Sequence, residues 1–438
     1  MNRILVLGAG RSSSLLIDYL ATWCAQTGRQ LTVGDVSVMA AESRLNGRGT
    51  AVHFDIEQPA EPLVANADII VSLVPAHFHP RVARLCLMFG KHLITASYVS
   101  DEMQSLAEEA KQRGLLFLNE CGLDPGIDHM SAMEVLDRVR QRGGQLTSFE
   151  SYTGGLIAPD TDPENPWRYK FTWNPRNVVM AGQSVAKYLE GGVNKFIPYQ
   201  QLFSRVTPIE VPGHGRFEGY ANRDSLKYQS TYGLQSVDTM IRGTLRFEGF
   251  CSAWNVLVQL GCCDDTYTLK ELSGKTHRDF VDSFLPSGTA STPDRLARQL
   301  KLDPRGPELK RLAWSGFFAE EKIGMQEGTP AQVVERVLNK KWKLAEHDRD
   351  MIVMWHRFRY QFENQQREIQ SSLVVLGDDA DRTAMAKTVG WPLAIATKLL
   401  AEGTMGVRGV VVPTQAEVYL PILHELKKLG VVFDEREN

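Results

Sequence analysis

At roughly 100 to 200 residues per domain, the 438 residues of this chain imply two or three domains. Its 49 Lys plus Arg nearly balance 52 Asp plus Glu, which excludes a global field that would recruit nucleic acid or an anionic membrane and leaves small molecules as the expected partners. No apolar run approaches the roughly 20 residues of a membrane span and the N-terminus enters a strand directly, so no membrane association and a cytoplasmic location are expected. Cys24, Cys86, Cys121, Cys251, Cys262 and Cys263 show neither a disulfide framework nor zinc-ligand spacing, so free thiols and no metal are expected.

The apolar run Ile4 to Leu7 stops at Gly8-Ala9-Gly10, and a helical pattern follows from Ser14 to Trp23. A strand that turns this tightly aims the next helix's N-terminus at a pyrophosphate. Gly8 can take backbone angles forbidden to side chains, and Gly10 removes a Cβ from the path of a phosphate. Ser13 stands where the usual third glycine would be, and Ser12, Ser13 and Ser14 offer hydroxyls beside Arg11. A second strand, Gln30 to Asp35, ends on a carboxylate that can accept bonds from a ribose 2′-OH and would repel a 2′-phosphate. NAD is therefore the expected cofactor and NADP the alternative, with Arg44 the nearest cation able to offset Asp35.

Further short strands, Ala51 to Asp55, Asp68 to Leu73, His92 to Ala96 and Leu115 to Asn119, alternate with helical stretches. This alternation predicts a Rossmann-like doubly wound parallel sheet over residues 1–125. Val74, just past its strand, is taken as a cofactor contact. A turn at Gly122 to Gly126 and a helix from Ile127 to Arg142 lead into a second, α+β domain over 126–264 with antiparallel character. Its candidate strands are Leu146 to Tyr152, Lys195 to Pro198, Phe217 to Tyr220 and Met240 to Phe247. Residues 265–352 are expected to form a helical insertion, including a helix over Asp348 to Trp355. Residues 353–438 then return to the second domain through a hairpin over 355–376, followed by helices Thr383 to Ala401 and Glu417 to Leu429. His77 and His79 beside two prolines suggest capping or packing at a strand end rather than a metal hook.

Several polar loops are more specific than connectors need to be. The stretches SLVPAHFH at 72–79, TASYVS at 95–100, NECGLDPGIDHM at 119–130, SYTGGLIAPD at 151–160, YANRDS at 220–225 and RGTLRFEGF at 242–250 together resemble glutamate-forming saccharopine dehydrogenases over nearly the whole chain. The resemblance implies reversible hydride transfer between NAD(P) and saccharopine, the product of reducing the imine of glutamate and 2-aminoadipate 6-semialdehyde. Saccharopine carries three carboxylates, and Arg223 and Arg242 can each clamp one through paired hydrogen bonds. Asp224 and Glu248 are the competing partners for these arginines.

The resemblance also implies substrate contacts at Ser97, Tyr98, Asp124, Tyr152, Gly154 and Thr244, and nicotinamide contacts at Leu123, Asp124 and Gly126. Tyr98 and Asp124 are the candidates for proton transfer, although Asp124 could instead cap the helix that begins near Gly126. Relatives carry a cysteine at the position of Thr153, which argues against a required proton carrier there. A homodimer is the expected assembly. A polyamine-type imine-reducing synthase and a silent NAD-binding regulator are the competing functions; the carboxylate-directed arginines speak against the first and the intact polar loops at three strand ends against the second.

Overall fold

A computed structural model describes residues 1–183 and 185–438. The chain forms two compact units: Met1–Gln145, Phe362–Gln365 and Leu373–Asp434 make the first, and Leu146–Gln361, Gln366–Ser372 and Glu435–Asn438 the second.

The first unit is built on strands Arg3–Leu7 (β1), Gln30–Asp35 (β2), Thr50–His53 (β3), Ile69–Ser72 (β4), His92–Thr95 (β5) and Leu116–Leu118 (β6). They lie in the order β3-β2-β1-β4-β5-β6, and the register is parallel at every pair. Strands β1, β4, β5 and β6 are buried almost throughout because helices cover both faces, which explains their continuous apolar runs. The order reverses between β1 and β4, and in sheets of this kind ligands bind outside the carboxyl ends of the strands at that point.

The C-terminal region departs from the sequence-based division. Strand Gly409–Val411 pairs parallel with β6 and extends this first sheet, and helix Ala384–Ala401 packs along the first helix, Ser14–Thr27. Gly390 makes that approach possible: a Cβ there would stand 2.9 Å from the Leu16 nitrogen. Residues 373–434 thus complete the first unit instead of the second. A three-residue edge strand carries almost no periodic signal, so local pattern could not reveal it.

The second sheet, built mainly by the second unit, holds strands Gln145–Ile157 (β7), Ala186–Glu190 (β8), Val193–Ile197 (β9), Thr207–Val211 (β10), Gly215–Ala221 (β11), Thr239–Phe247 (β12), Asp350–Phe362 (β13) and Gln365–Leu376 (β14). Its main path runs β10-β11-β12-β7-β13-β14 and ends on the strand Phe433–Glu437. The sheet is mixed, because β7 and β12 pair parallel while β10, β11 and β12 pair antiparallel. The helix expected over Asp348 to Trp355 is instead the first half of β13, which lies beside β7 and is buried through its first seven residues. Burial on both faces removes the period-two alternation that marks a strand, so a short apolar run of this kind is ambiguous in sequence.

Helices His277–Asp282, Thr292–Leu300, Pro307–Ser315 and Pro330–Trp342 form the helical segment. Trp342 joins Trp167, Tyr169, Phe171, Phe250 and Trp254 in an aromatic cluster whose ring centroids lie 4.9 to 6.3 Å apart. Edge-to-face geometry in such clusters adds to the burial of each ring. All six cysteines are buried thiols. Among the described residues no helix is long and apolar enough to cross a membrane.

Candidate active site

The glycine turn of the first unit has the geometry the sequence implied at Gly8 and a different division of labour among the serines. Gly8 takes φ +105°, and its N–H donates to the Gly34 carbonyl at 2.8 Å. No protein atom lies within 4 Å of where a Gly10 Cβ would be, so the protein itself makes no demand for glycine there. Ser13 Oγ donates to the Gly10 carbonyl at 2.7 Å and Ser14 Oγ to the Asp381 carbonyl at 2.8 Å. These two hydroxyls therefore donate to backbone carbonyls of their own turn and of the segment before helix Ala384–Ala401. Arg11 is exposed and Ser12 half-buried beside them.

Asp35 closes β2 with both oxygens engaged: Oδ2 accepts from the Ala9 N–H at 2.7 Å and Oδ1 from the Ser37 N–H at 2.8 Å. The carboxylate is thereby fixed against the glycine turn. Arg44 pairs with Asp381, an acid on the segment that leads into helix Ala384–Ala401. Val74 packs on the apolar core of this unit.

Two loops at the ends of β5 and β6 carry the proton-transfer candidates, and the fold brings them together. Tyr98 Oη donates to Asp124 Oδ1 at 3.1 Å. The turn that carries Asp124 closes on itself: Gly122 N–H donates to Pro125 O at 3.0 Å, and Ile127 N–H to Gly122 O at 2.9 Å. Gly126 adopts φ +149°, and any Cβ there would overlap the Gly122 backbone. Leu123 is buried within the same turn. The N-terminus of helix Ile127–Gln141 is served by Asp128, whose Oδ1 accepts from the Gly126 N–H at 2.6 Å. Asp128 thus braces the Gly126 backbone from within the first turn of the helix.

Ser97 is held from below by His79. The imidazole Nε2 lies 2.8 Å from Ser97 Oγ and 3.2 Å from Thr95 Oγ1, and Nδ1 lies 3.0 Å from Ser72 Oγ. Burial, with His77 adding a smaller effect, pushes His79 down to about 4, so the ring is neutral and serves hydroxyls at both nitrogens. The sequence singled this histidine out only for capping or packing at a strand end. Because its ordinary value is about 6.5, its contribution to stability is complete above that pH and is lost as pH falls toward about 4. A His79→Gln variant is expected to lose up to about 3 kcal/mol less stability than the parent between pH 7 and pH 4, measured by thermal unfolding in matched buffers. Identical pH dependence of the two proteins would contradict a neutral buried ring.

In the second unit, the pairing of β12 with β7 sets Arg242 opposite Ser151, Gly243 opposite Tyr152 and Thr244 opposite Thr153. The segment after β11 then wraps the start of β12. Asn222 N–H donates to the Arg242 carbonyl at 2.9 Å, the Arg242 N–H donates to Ser225 Oγ at 2.9 Å, and Asn222 Nδ2 donates to Thr244 Oγ1 at 3.1 Å. Arg223 lies within this wrap at φ +54°. These bonds, two of them through side chains, tie the segment that carries Arg223 to β12 at Arg242 and Thr244, and the Arg242 guanidinium sits 4.2 Å over the Tyr228 ring. Of the competing acids, Asp224 pairs with Lys187 at 3.2 Å and Glu248 with Arg216 at 3.9 Å.

Two sequence candidates here have packing duties. Tyr152 is buried, with its ring across Gly219 and Gly243, where a Cβ would come within 2.9 and 2.5 Å of the ring. Gly154 is required by the Leu245 backbone on β12, which a Cβ would overlap. Its smallness serves strand packing. The Thr153 hydroxyl is buried without a hydrogen-bond partner among the described residues. Sequence reasoning also passed over Arg246, which stands on the same face of β12 as Arg242 and lies buried 5.0 Å from the Tyr169 ring and 5.3 Å from the Phe250 ring.

A nucleotide-binding parallel sheet with a tight glycine turn, joined in one chain to a mixed-sheet unit with clustered arginines, defines the class of two-domain dinucleotide-dependent proteins. Family models narrow this: the saccharopine dehydrogenase NADP binding domain matches residues 4–118 and the saccharopine dehydrogenase C-terminal domain matches residues 122–431. The chain belongs to the saccharopine dehydrogenase family.

Among its relatives, saccharopine dehydrogenase [NADP(+), L-glutamate-forming] of Saccharomyces cerevisiae is 33% identical over 99% of this chain and 98% of its own length. The Schizosaccharomyces pombe protein of the same name is 31% identical over 99% of both. Alpha-aminoadipic semialdehyde synthase, mitochondrial, of Rattus norvegicus is 33% identical, and this chain spans 48% of its length. The chain thus covers about half of the mammalian relatives it matches. A solved structure of apo saccharopine dehydrogenase (L-Glu forming) from S. cerevisiae superposes with a TM-score of 0.90 at 31% identity, covering 100% of both chains.

Proposed function

We propose that the chain is a glutamate-forming saccharopine dehydrogenase that exchanges hydride reversibly between NAD(P) and saccharopine. The observation that carries this reading is the tie between the 222–225 segment, which carries Arg223, and the middle of β12 at Arg242 and Thr244, in a chain whose other unit has a nucleotide-binding turn. Arginine's planar fork suits the several carboxylates of saccharopine, and the adjacent hydroxyl and backbone donors complete such a pocket. The names of the two fungal relatives support the same reaction.

Residues Gly8, Gly10, Arg11, Ser12 and Asp35 would hold the dinucleotide, with Val74, Leu123 and Gly126 toward its nicotinamide. The open space at Gly10 fits a phosphate approaching the backbone. When bound, the nicotinamide supplies or accepts the hydride. Ser97 and Tyr98 would donate to substrate oxygens, and Asp124, oriented by the Tyr98 hydroxyl, would accept from the substrate's secondary amine and carry its proton. Incubation of saccharopine with NAD or NADP should produce absorbance at the reduced-nicotinamide band, with glutamate and 2-aminoadipate 6-semialdehyde as products. Lysine and 2-oxoglutarate as products would overturn the assignment.

Cofactor choice follows from Asp35. A carboxylate fixed at the end of β2 favours ribose hydroxyls over a 2′-phosphate, and Arg44 is held by Asp381. We infer a preference for NAD(H), in contrast to the NADP(+) in the fungal relatives' names. Asp35→Ser should weaken NAD use and raise the NADP-to-NAD ratio of kcat/KM. A parent enzyme already more efficient with NADPH than with NADH would show the inference to be wrong.

A further inference from the structure

A buried run of side chains joins the two loops that carry Tyr98 and Asp124. Glu120 Oε1 accepts from the Val99 N–H at 2.9 Å, and its Oε2 lies 2.8 Å from His129 Nε2. His129 Nδ1 stands 3.7 Å from Asp128 Oδ2, and the other oxygen of Asp128 accepts from the Gly126 N–H. The path begins at the backbone beside Tyr98 and ends at the backbone two residues past Asp124. Glu120, Asp128 and His129 are each no more than 1% exposed, and Glu120 sits at φ +56°.

Withdrawing two carboxylates from water is costly before their bonds offset it, and a left-handed non-glycine backbone adds strain. Apolar residues could fill the same volume without those costs. What they could not do is bind two specified N–H groups on two different loops. We propose that Glu120, His129 and Asp128 form a positioning clamp that fixes the Tyr98 hydroxyl against the Asp124 carboxylate. The clamp acts through the Tyr98–Asp124 hydrogen bond and rests on the reading of function given above.

A double-mutant cycle tests it. His129→Gln should lower kcat/KM for saccharopine by about tenfold or more while leaving the dissociation constant of the reduced cofactor within about twofold. In a Tyr98→Phe background, where the hydrogen bond is already absent, the same substitution should cost less than about threefold. Glu120→Gln, which keeps an acceptor for Val99, should retain more activity than Glu120→Ala and show the same dependence on Tyr98. Equal losses in the two backgrounds would overturn the clamp, as would loss of cofactor binding together with activity in both His129→Gln and Glu120→Gln. No turnover of saccharopine by the unmodified chain would overturn the functional reading itself, whereas an active parent with an additive cycle would overturn the clamp alone.

Discussion

Replacing Arg242 with alanine is expected to reduce kcat/KM for saccharopine by about 2 to 5 kcal/mol, roughly 30- to 5,000-fold, with cofactor affinity nearly unchanged. That range is the cost of removing one member of a buried, hydrogen-bonded charge pair and leaving the other charge without its partner. The side chain is buried beside Tyr228, while the backbone of Arg242 is tied to Asn222 and Ser225 independently of the guanidinium, so the wrap of the 222–225 segment should survive the substitution. Arg242→Lys should recover only part of the loss, since an ammonium offers a point charge where the carboxylate presents two parallel acceptors. Steady-state kinetics alongside cofactor titration will decide the matter. A matching drop in cofactor affinity, or no loss in either quantity, would make Arg242 a scaffold residue.

The largest effect on stability is expected at Gly126. At φ +149° an L side chain is strained whatever space surrounds it, and here a Cβ would also overlap the backbone of Gly122. Gly126→Ala should cost about 4 kcal/mol or more, since backbone strain and overpacking add, and it should abolish activity by opening the turn that carries Asp124. Gly143 is the control. It also has a positive φ, of +84°, but nothing lies within 4 Å of its Cβ position, so alanine there should cost only about 1 kcal/mol. Thermal unfolding of the two variants separates the effects. Comparable losses at both glycines would mean that the closed turn at 122–126 contributes no more than its dihedral angles.

The two units differ in how far local chemistry announced them. Strands β1 to β6 were legible because each is a short apolar run ended by a polar or glycine turn, and the helices between them are amphipathic. The hairpin of β13 and β14 was legible from its polar turn. The first half of β13 reads as helix in sequence because burial on both faces leaves no alternation to mark a strand. The strand at Gly409–Val411 is too short for any local rule, and only its pairing with β6 defines it.

The candidate site divides in the same way. The sequence alone determined the nucleotide turn, the carboxylate after β2 and the presence of arginines suited to carboxylates, because those properties belong to single residues or to neighbours along the chain. Tertiary structure alone decided which groups meet. It set Tyr98 against Asp124 across the ends of two strands, turned Asp128 to the Gly126 N–H, and laid the Tyr152 ring across Gly219 and Gly243. It also assembled Glu120, Asp128 and His129 into one buried path. Hydrogen bonding and steric contact depend on angstrom-scale approach between segments far apart in the chain, and pairing of strands fixes that approach where residue spacing cannot.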